Sequence, residues 1–241
     1  MNVSDVKRYF RALTIINAEI CVNINNHTST IIDPSHVIIL KLHDKRIDMR
    51  GEYCIEDTLK AIQKLNKDME LKFVKEDDRI KVVFDDGDGE IYIKIKPDYI
   101  KEVSNAKFPG LCKKFWVEIN IPKLRRILSL FPNTSIVKLR LDRASKNLFI
   151  FLYDDTSNIV GKYNYGKVLG IRYSMSVEDN IISSSYNLEM IEEALDVAHI
   201  YSAQRGFLSF DREYPLSIKL EEPNLYRVLI AIAPRVLDEE E

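Results

Sequence analysis

Hydrophobic residues along this 241-residue chain switch repeatedly between two periods. Residues 4–15, SDVKRYFRALTI, open on a Ser or Asp suited to an N-cap and set Val6, Phe10, Leu13 and Ile16 at helical spacing. The pattern predicts an amphipathic helix starting almost at the first residue. Alternation then takes over, and AEICVNI, STIID, VIILKL and a brief EYCI read as short strands. The helical period returns over 56–66, EDTLKAIQKLN, with Leu59, Ile62 and Leu65 on its apolar face. ELKFV, RIKVVF and EIYIKIKP follow as a meander joined by turns at EDD and DDGDG.

Residues 97–115 lose the alternation and collect Pro, Gly and Lys, as a connecting segment does. The plan then repeats. WVEINI reads as a strand and PKLRRILSLF as a helix with Pro122 in its first turn. SIVKLRL, NLFIFLYDD, NIVGKYNY, VLGIRYSMS and NIISSSY read as strands, residues 187–200 as a fourth helix, and GFLSFD, PLSIKLEE and LYRVLIAIA as closing strands. The expectation is an α+β chain with an internal duplication: a first domain over 1–96, a connector over 97–115 and a second domain over 116–241. Antiparallel sheets on the outside would leave the helices lining one face.

Composition narrows the classes without choosing one. The chain is 46% hydrophobic and 30% charged with only 8 Gly and 8 Pro, which fits an ordered globular protein. Its formal net charge of -2 is neutral on nucleic acid, so the placement of charge must decide. Cys21, Cys54 and Cys112 form no CxxC pair and point to free buried thiols in a reducing compartment. The charged start and the lack of a long apolar run fit a soluble, intracellular protein, neither secreted nor membrane-bound.

Charge placement is informative. Lys7 and Arg11 beside Arg8, then Lys60, Lys64 and Lys67, then Lys123 and Arg126 beside Arg125 fall on the polar sides of the first three helices. Basic stripes without interleaved aromatics suit contacts to the phosphate backbone, which give affinity and salt dependence but no sequence readout. The fourth helix instead carries Glu189, Glu192, Glu193 and Asp196. DDGDGE, residues 85–90, has the alternate carboxylates of a calcium loop but lacks its twelve-residue length and closing Glu, so a hairpin turn is expected. No nucleophile elbow, P-loop, dinucleotide fingerprint or metal-ligand spacing is present; no catalytic residue, metal or cofactor is expected.

Two stretches about two hundred residues apart carry a resemblance: IDPSHVIIL near the start, and AIAPRVLDEEE at the end. With EYPLSIKLE and SSSYNLEMIEEAL between them, the chain resembles the archaeal and eukaryotic sliding clamps, the PCNA family. That resemblance implies a ring of three two-domain protomers around duplex DNA, the helices lining the hole. Lys7, Arg8, Arg11, Lys60, Lys64, Lys67, Lys123 and Arg126 would face the DNA without reading its sequence. The ring would act as a processivity factor in DNA replication and repair, tethering DNA polymerase, flap nuclease and ligase through their PIP motifs after placement by a clamp loader. It implies a partner pocket built from Ile32, His36, Val37 and Ile39, from Phe108 and Pro109, from Pro215, and from Ala233, Pro234 and Arg235. It also implies subunit contacts through two edge strands, with Ile91, Ile93 and Ile95 on one and Ile159, Val160 and Tyr163 on the other. Lys94 and Lys96 fit edge protection equally well. Only MNV precedes the first helix, where the family opens on a strand, and the acidic fourth helix departs from a basic lining. A homotrimer, one subunit of a heterotrimer, a checkpoint-type clamp subunit in the DNA damage response, and an enzyme whose site assembles only in space all stay open.

Overall fold

The structure, a computed structural model, describes residues 1–76, 79–84, 89–94, 106–110, 115–131, 133–168, 172–173, 180–212 and 214–235. Two compact units divide the chain: Met1–Phe108 with Glu221–Val228, and Pro109–Leu220 with Leu229–Glu241.

In the first unit, helix α1 (Val3–Ile16) buries the predicted stripe of Val6, Phe10, Leu13 and Ile16, with Val3 and Tyr9 added to it. Its cap is Asn2 rather than Ser4 or Asp5, because the Asn2 side chain accepts the Ser4 N–H at 2.8 Å. Asp5 therefore sits in the first turn, where its charge favours the helix dipole. Strands β1 (Cys21–Ile24), β2 (Thr28–Ile32), β3 (Ile38–Asp44) and β4 (Gly51–Cys54) follow, with β1 antiparallel to β4 and β2 to β3. Tyr9 ties α1 to β2 by donating its hydroxyl to Ser29 Oγ at 2.6 Å, fully buried. Helix α2 (Ile55–Ile62) leads to the meander β5 (Leu71–Glu76), β6 (Arg79–Phe84) and β7 (Gly89–Lys94), in that spatial order.

Two expectations are corrected here. Cys21 and Cys54 are register partners across β1 and β4 and form a disulfide, so they are not free thiols. Cys112 lies outside the described residues, as do residues 85–88 of the DDGDGE turn. The second helix stops at Ile62 rather than running to residue 66. The Gln63 and Leu65 N–H groups turn back to Lys60 and Ile62 carbonyls three residues earlier, a tightening typical of a helix end. Lys64 and Lys67 thus lie beyond the helix.

In the second unit, β8 (Phe115–Asn120) leads into α3 (Ile121–Leu128), capped by Asn120 through the Lys123 N–H, with Pro122 in the first turn. Strands β9 (Ile136–Asp142), β10 (Asn147–Tyr153), β11 (Ile159–Lys167), β12 (Arg172–Tyr173) and β13 (Ile181–Asn187) precede α4 (Leu188–Ile200). The chain closes with β14 (Arg205–Asp211), β15 (Tyr214–Glu222) and β16 (Tyr226–Ile232), whose first three residues group with the first unit. One antiparallel sheet runs β11-β10-β9-β13, while β12, β8, β14 and β15 pair in that order. The core alternates as the sequence does: Leu148, Ile150 and Leu152 of β10 are fully buried, and the residues between them are not. Among the described residues, no helix is long and apolar enough to cross a membrane.

Candidate nucleic-acid and partner interface

The helix faces of the two units carry their cations differently. In the first, Arg11, Lys60, Lys64 and Lys67 are exposed. Lys60 pairs with Glu56 one turn back at 2.7 Å, and that hydrogen bond raises its pKa. Lys7 is not on the exposed face. It is 8% exposed, and its ammonium donates to the Gln63 and Leu65 carbonyls at 2.9 and 2.7 Å. α1 thus supplies a cation to the carbonyl end of α2, where the helix dipole favours positive charge. Burial lowers the Lys7 pKa, and the charges of Arg11 and Lys67 lower it further, so these three cations share one neighbourhood. Arg8 is half-buried and ion-paired to Asp5, which also lies 3.7 Å from Arg46. Arg46 in turn grips the fully buried Asp44 with two hydrogen bonds, at 2.8 and 2.7 Å. Arg8 is therefore anchored to the body of its unit and only partly available.

In the second unit, Lys123 folds back onto β11. Its ammonium donates to the Tyr165 carbonyl at 2.8 Å and lies 4.2 Å from the centre of the Tyr165 ring. Arg125 crosses to Asp196 of α4 at 2.5 Å, both half-exposed. Arg126 is exposed, and so are Glu189 and Glu192. The acidic stripe of α4 therefore meets the basic stripe of α3 within the same helix layer.

The DPSH corner is organised by one carboxylate. Asp33 is 4% exposed; its Oδ1 accepts the Val37 and Ile38 N–H groups at 2.7 and 2.6 Å, and its Oδ2 accepts the Ser35 N–H at 3.0 Å and the Ser35 hydroxyl. The His36 N–H closes the turn on the Asp33 carbonyl at 3.0 Å, with His36 in the left-handed region at φ 60. Histidine, like Asn and Asp, tolerates that region better than most residues. The corner thus dispenses with glycine because His36 takes the position that glycine usually would. It leaves His36 exposed and Ile32, Val37 and Ile39 half-exposed. Phe108 and Pro109 are half-exposed in a stretch without regular structure, and Pro215 is half-exposed in β15. Ala233 is half-exposed and Pro234 and Arg235 exposed, with the Arg235 N–H bonded to the Ser185 carbonyl of β13 at 2.7 Å.

No family model matches the sequence, and no curated protein matches it. The structure does have solved neighbours. One is a structure of the C-terminal region of FEN-1 bound to A. fulgidus PCNA, at 16% identity over 99% of this chain and 98% of that one, with a TM-score of 0.73. Another is the proliferating cellular nuclear antigen of Entamoeba histolytica, at 14% identity over 98% and 96% and the same TM-score. The fold is that of the PCNA-type sliding clamp.

Within this clamp fold the two strands expected at subunit contacts are sheet edges: β7 ends the β5-β6-β7 meander and β11 ends its four-stranded sheet. Ile159 is 61% exposed, Val160 is also exposed, and Tyr163 and Ile91 are half-exposed. The side chain of Ile93 and the whole of Ile95 and Lys96 lie outside the described residues. Beside β11, the Phe131 ring sits where a Cβ on Gly161 would clash at 2.6 Å, so that edge is built around a glycine. The sequence reading did not single out the basic character of β3 away from the corner, where Lys41 and Lys45 flank His43 in sequence and the His43 ring meets that of His27. The alternation of IILKLHD was the available signal, because it already places Ile39, Lys41 and His43 on one side of the strand.

Proposed function

We propose that the protein is a DNA sliding clamp or clamp subunit, a non-catalytic ring component that encircles duplex DNA and tethers enzymes to it. The observation that carries the reading is the clamp fold over essentially the full length of both neighbours. Arg11, Lys60, Lys64, Lys67 and Arg126 are exposed cations suited to weak, sequence-independent phosphate contacts that exchange as the ring slides. Lys7, Arg8 and Lys123 support this face mainly by holding its helices. Partners engage through short motifs with apolar anchors, which supports assigning the DPSH corner and the Ala233–Arg235 run as docking segments. A solved neighbour with the C-terminal region of FEN-1 bound supports docking of this kind. Edge pairing of β7 and β11 between protomers closes the ring, and the apolar exposure of Ile159 and Val160 favours such pairing.

The acidic α4 and the Arg125–Asp196 pair favour a heterotrimer subunit, whose sister chains complete a basic lining. Stimulation of a cognate polymerase on primed circular DNA, with the matching loader, tests the clamp reading, and absence of stimulation would sink it. Native mass spectrometry with and without sister chains separates homotrimer from heterotrimer.

A further inference from the structure

The outward face of the β2–β3 hairpin changes character along its length. Its cross-strand pairs are Ile32 with Ile39, Thr30 with Lys41, and Thr28 with His43. The face is apolar beside the DPSH corner and basic at the other end, about 14 Å away at the usual rise of a strand. At that end the His27 and His43 rings meet edge to face at 6.1 Å. His27 Nδ1 lies 2.7 Å from the Ile47 carbonyl, and His43 Nδ1 lies 2.9 Å from the Thr28 hydroxyl. Each ring is held through one nitrogen, with Nε2 as its second polar atom. Burial lowers the His43 pKa, and the charges of His27, Lys45 and Arg227 lower it further, against a smaller opposing effect of Asp44.

The nearby acids do not cancel this charge. Asp44 is fully buried and held by Arg46, while Glu221 lies 3.4 Å from Arg227. Among the described residues, Lys41 and Lys45 have no ion-pair partner.

We propose that this face is a two-part docking strip for a peptide with acidic residues beside its apolar anchor, the anchor seated at the DPSH corner and the carboxylates on Lys41, His43, His27 and Lys45. The inference rests on the reading that partners dock at that corner, and it names the chemistry of their flank. An extended peptide fits better than a nucleic acid: Ile39, Lys41 and His43 repeat at about 7 Å, the spacing of alternate residues in an extended chain. Because burial and neighbouring cations hold the His43 pKa down, its protonation strengthens the strip, and the preference for an acidic flank grows, only as pH falls below the ordinary imidazole range.

The test uses the full-length protein and fluorescence anisotropy with two synthetic peptides sharing one aromatic-aliphatic anchor, flanked by four glutamates or by four glutamines. The glutamate peptide is expected to bind roughly tenfold tighter at pH 5 and roughly threefold tighter at pH 8, with the gap closing in high salt. His27→Gln with His43→Gln should remove the pH dependence and leave the glutamine peptide unaffected. Lys41→Gln with Lys45→Gln should remove most of the remaining preference. Equal affinity for both peptides at both pH values, with the anchor bound, overturns the inference and leaves docking at the corner intact. Failure of both peptides to bind strikes that docking reading and this inference with it. If Lys41→Glu with Lys45→Glu weakens duplex DNA binding and not peptide binding, the strip is a nucleic-acid contact and the inference falls.

Discussion

The helix layer of the first unit and that of the second solve one problem in different ways. Each joins two helices that carry cations. Between α1 and α2 the link is Lys7, desolvated and spent on two carbonyls at a helix end. Between α3 and α4 it is Arg125 with Asp196, a half-exposed pair that solvent screens. A buried cation satisfied by backbone is a structural part, whereas an exposed pair contributes little to stability and mainly trims local charge. The basic stripes look alike as sequence, yet Arg11, Lys64 and Lys67 of the first unit stay exposed, while the second unit pairs Arg125 with its own Asp196.

The sharpest way to break this contrast is to remove the cation at each of its two links. Lys7→Glu should destabilise the protein by about 3–5 kcal/mol, because it faces two carbonyls with a buried like-signed group. Arg125→Ala should change stability by less than about 0.5 kcal/mol. Thermal unfolding followed by circular dichroism compares them directly, and equal losses would dissolve the distinction.

The next largest effect is covalent and belongs only to the first unit. Cys21→Ser removes a bond across 33 residues of sequence. It should lower stability by about 4 kcal/mol under non-reducing conditions, on the chain-entropy model. Thiol titration of the unfolded, unreduced protein checks the premise, since three reactive thiols rather than one would mean that the bond does not form.

Alkaline pH gives the next effect, centred on two buried tyrosines of the first unit. Burial pushes the Tyr53 phenol up to about 12, from 10 in the unfolded chain, and Tyr9 rises further for the same reason. Between those values the unfolded chain releases a proton that the folded one keeps. The stability present below pH 10 is therefore lost as pH climbs towards 12, on the order of 2 kcal/mol for Tyr53. Lys7, with its lowered pKa, acts in the opposite sense below pH 10.5. Denaturant titrations from pH 9 to 11 should show the decline, and Tyr53→Phe should flatten it.

The smallest effect sharpens the functional side. Asp196→Asn should leave stability within about 0.5 kcal/mol of the parent while freeing Arg125. A modest gain in clamp retention on DNA at low salt is expected, and Lys64→Glu with Lys67→Glu should do the reverse. No change from either would place these charges away from the DNA path.

Much of this was legible in the sequence, for physical reasons that differ by residue. The α1 stripe and the β10 alternation could be read because burial follows a fixed period. The DPSH corner could be read because Asp and Ser next to Pro bond local backbone. Lys7 misled because its partners lie 56 and 58 residues away, and a cation on a polar helix face looks the same whether or not another segment covers it. The disulfide was hidden for a similar reason, since only the β1–β4 register puts Cys21 opposite Cys54. The histidine cluster was half visible, in the alternation of β3 but not in the turn that brings His27 beside it.

The single carboxylate of Asp33 has a consequence in time as well as in shape. Four donors, three N–H groups and one hydroxyl, converge on it. A corner closed by its own side chain needs no loop to order itself, and on the docking reading proposed above capture there is limited by collision and charge steering, with partners differing chiefly in how long they stay.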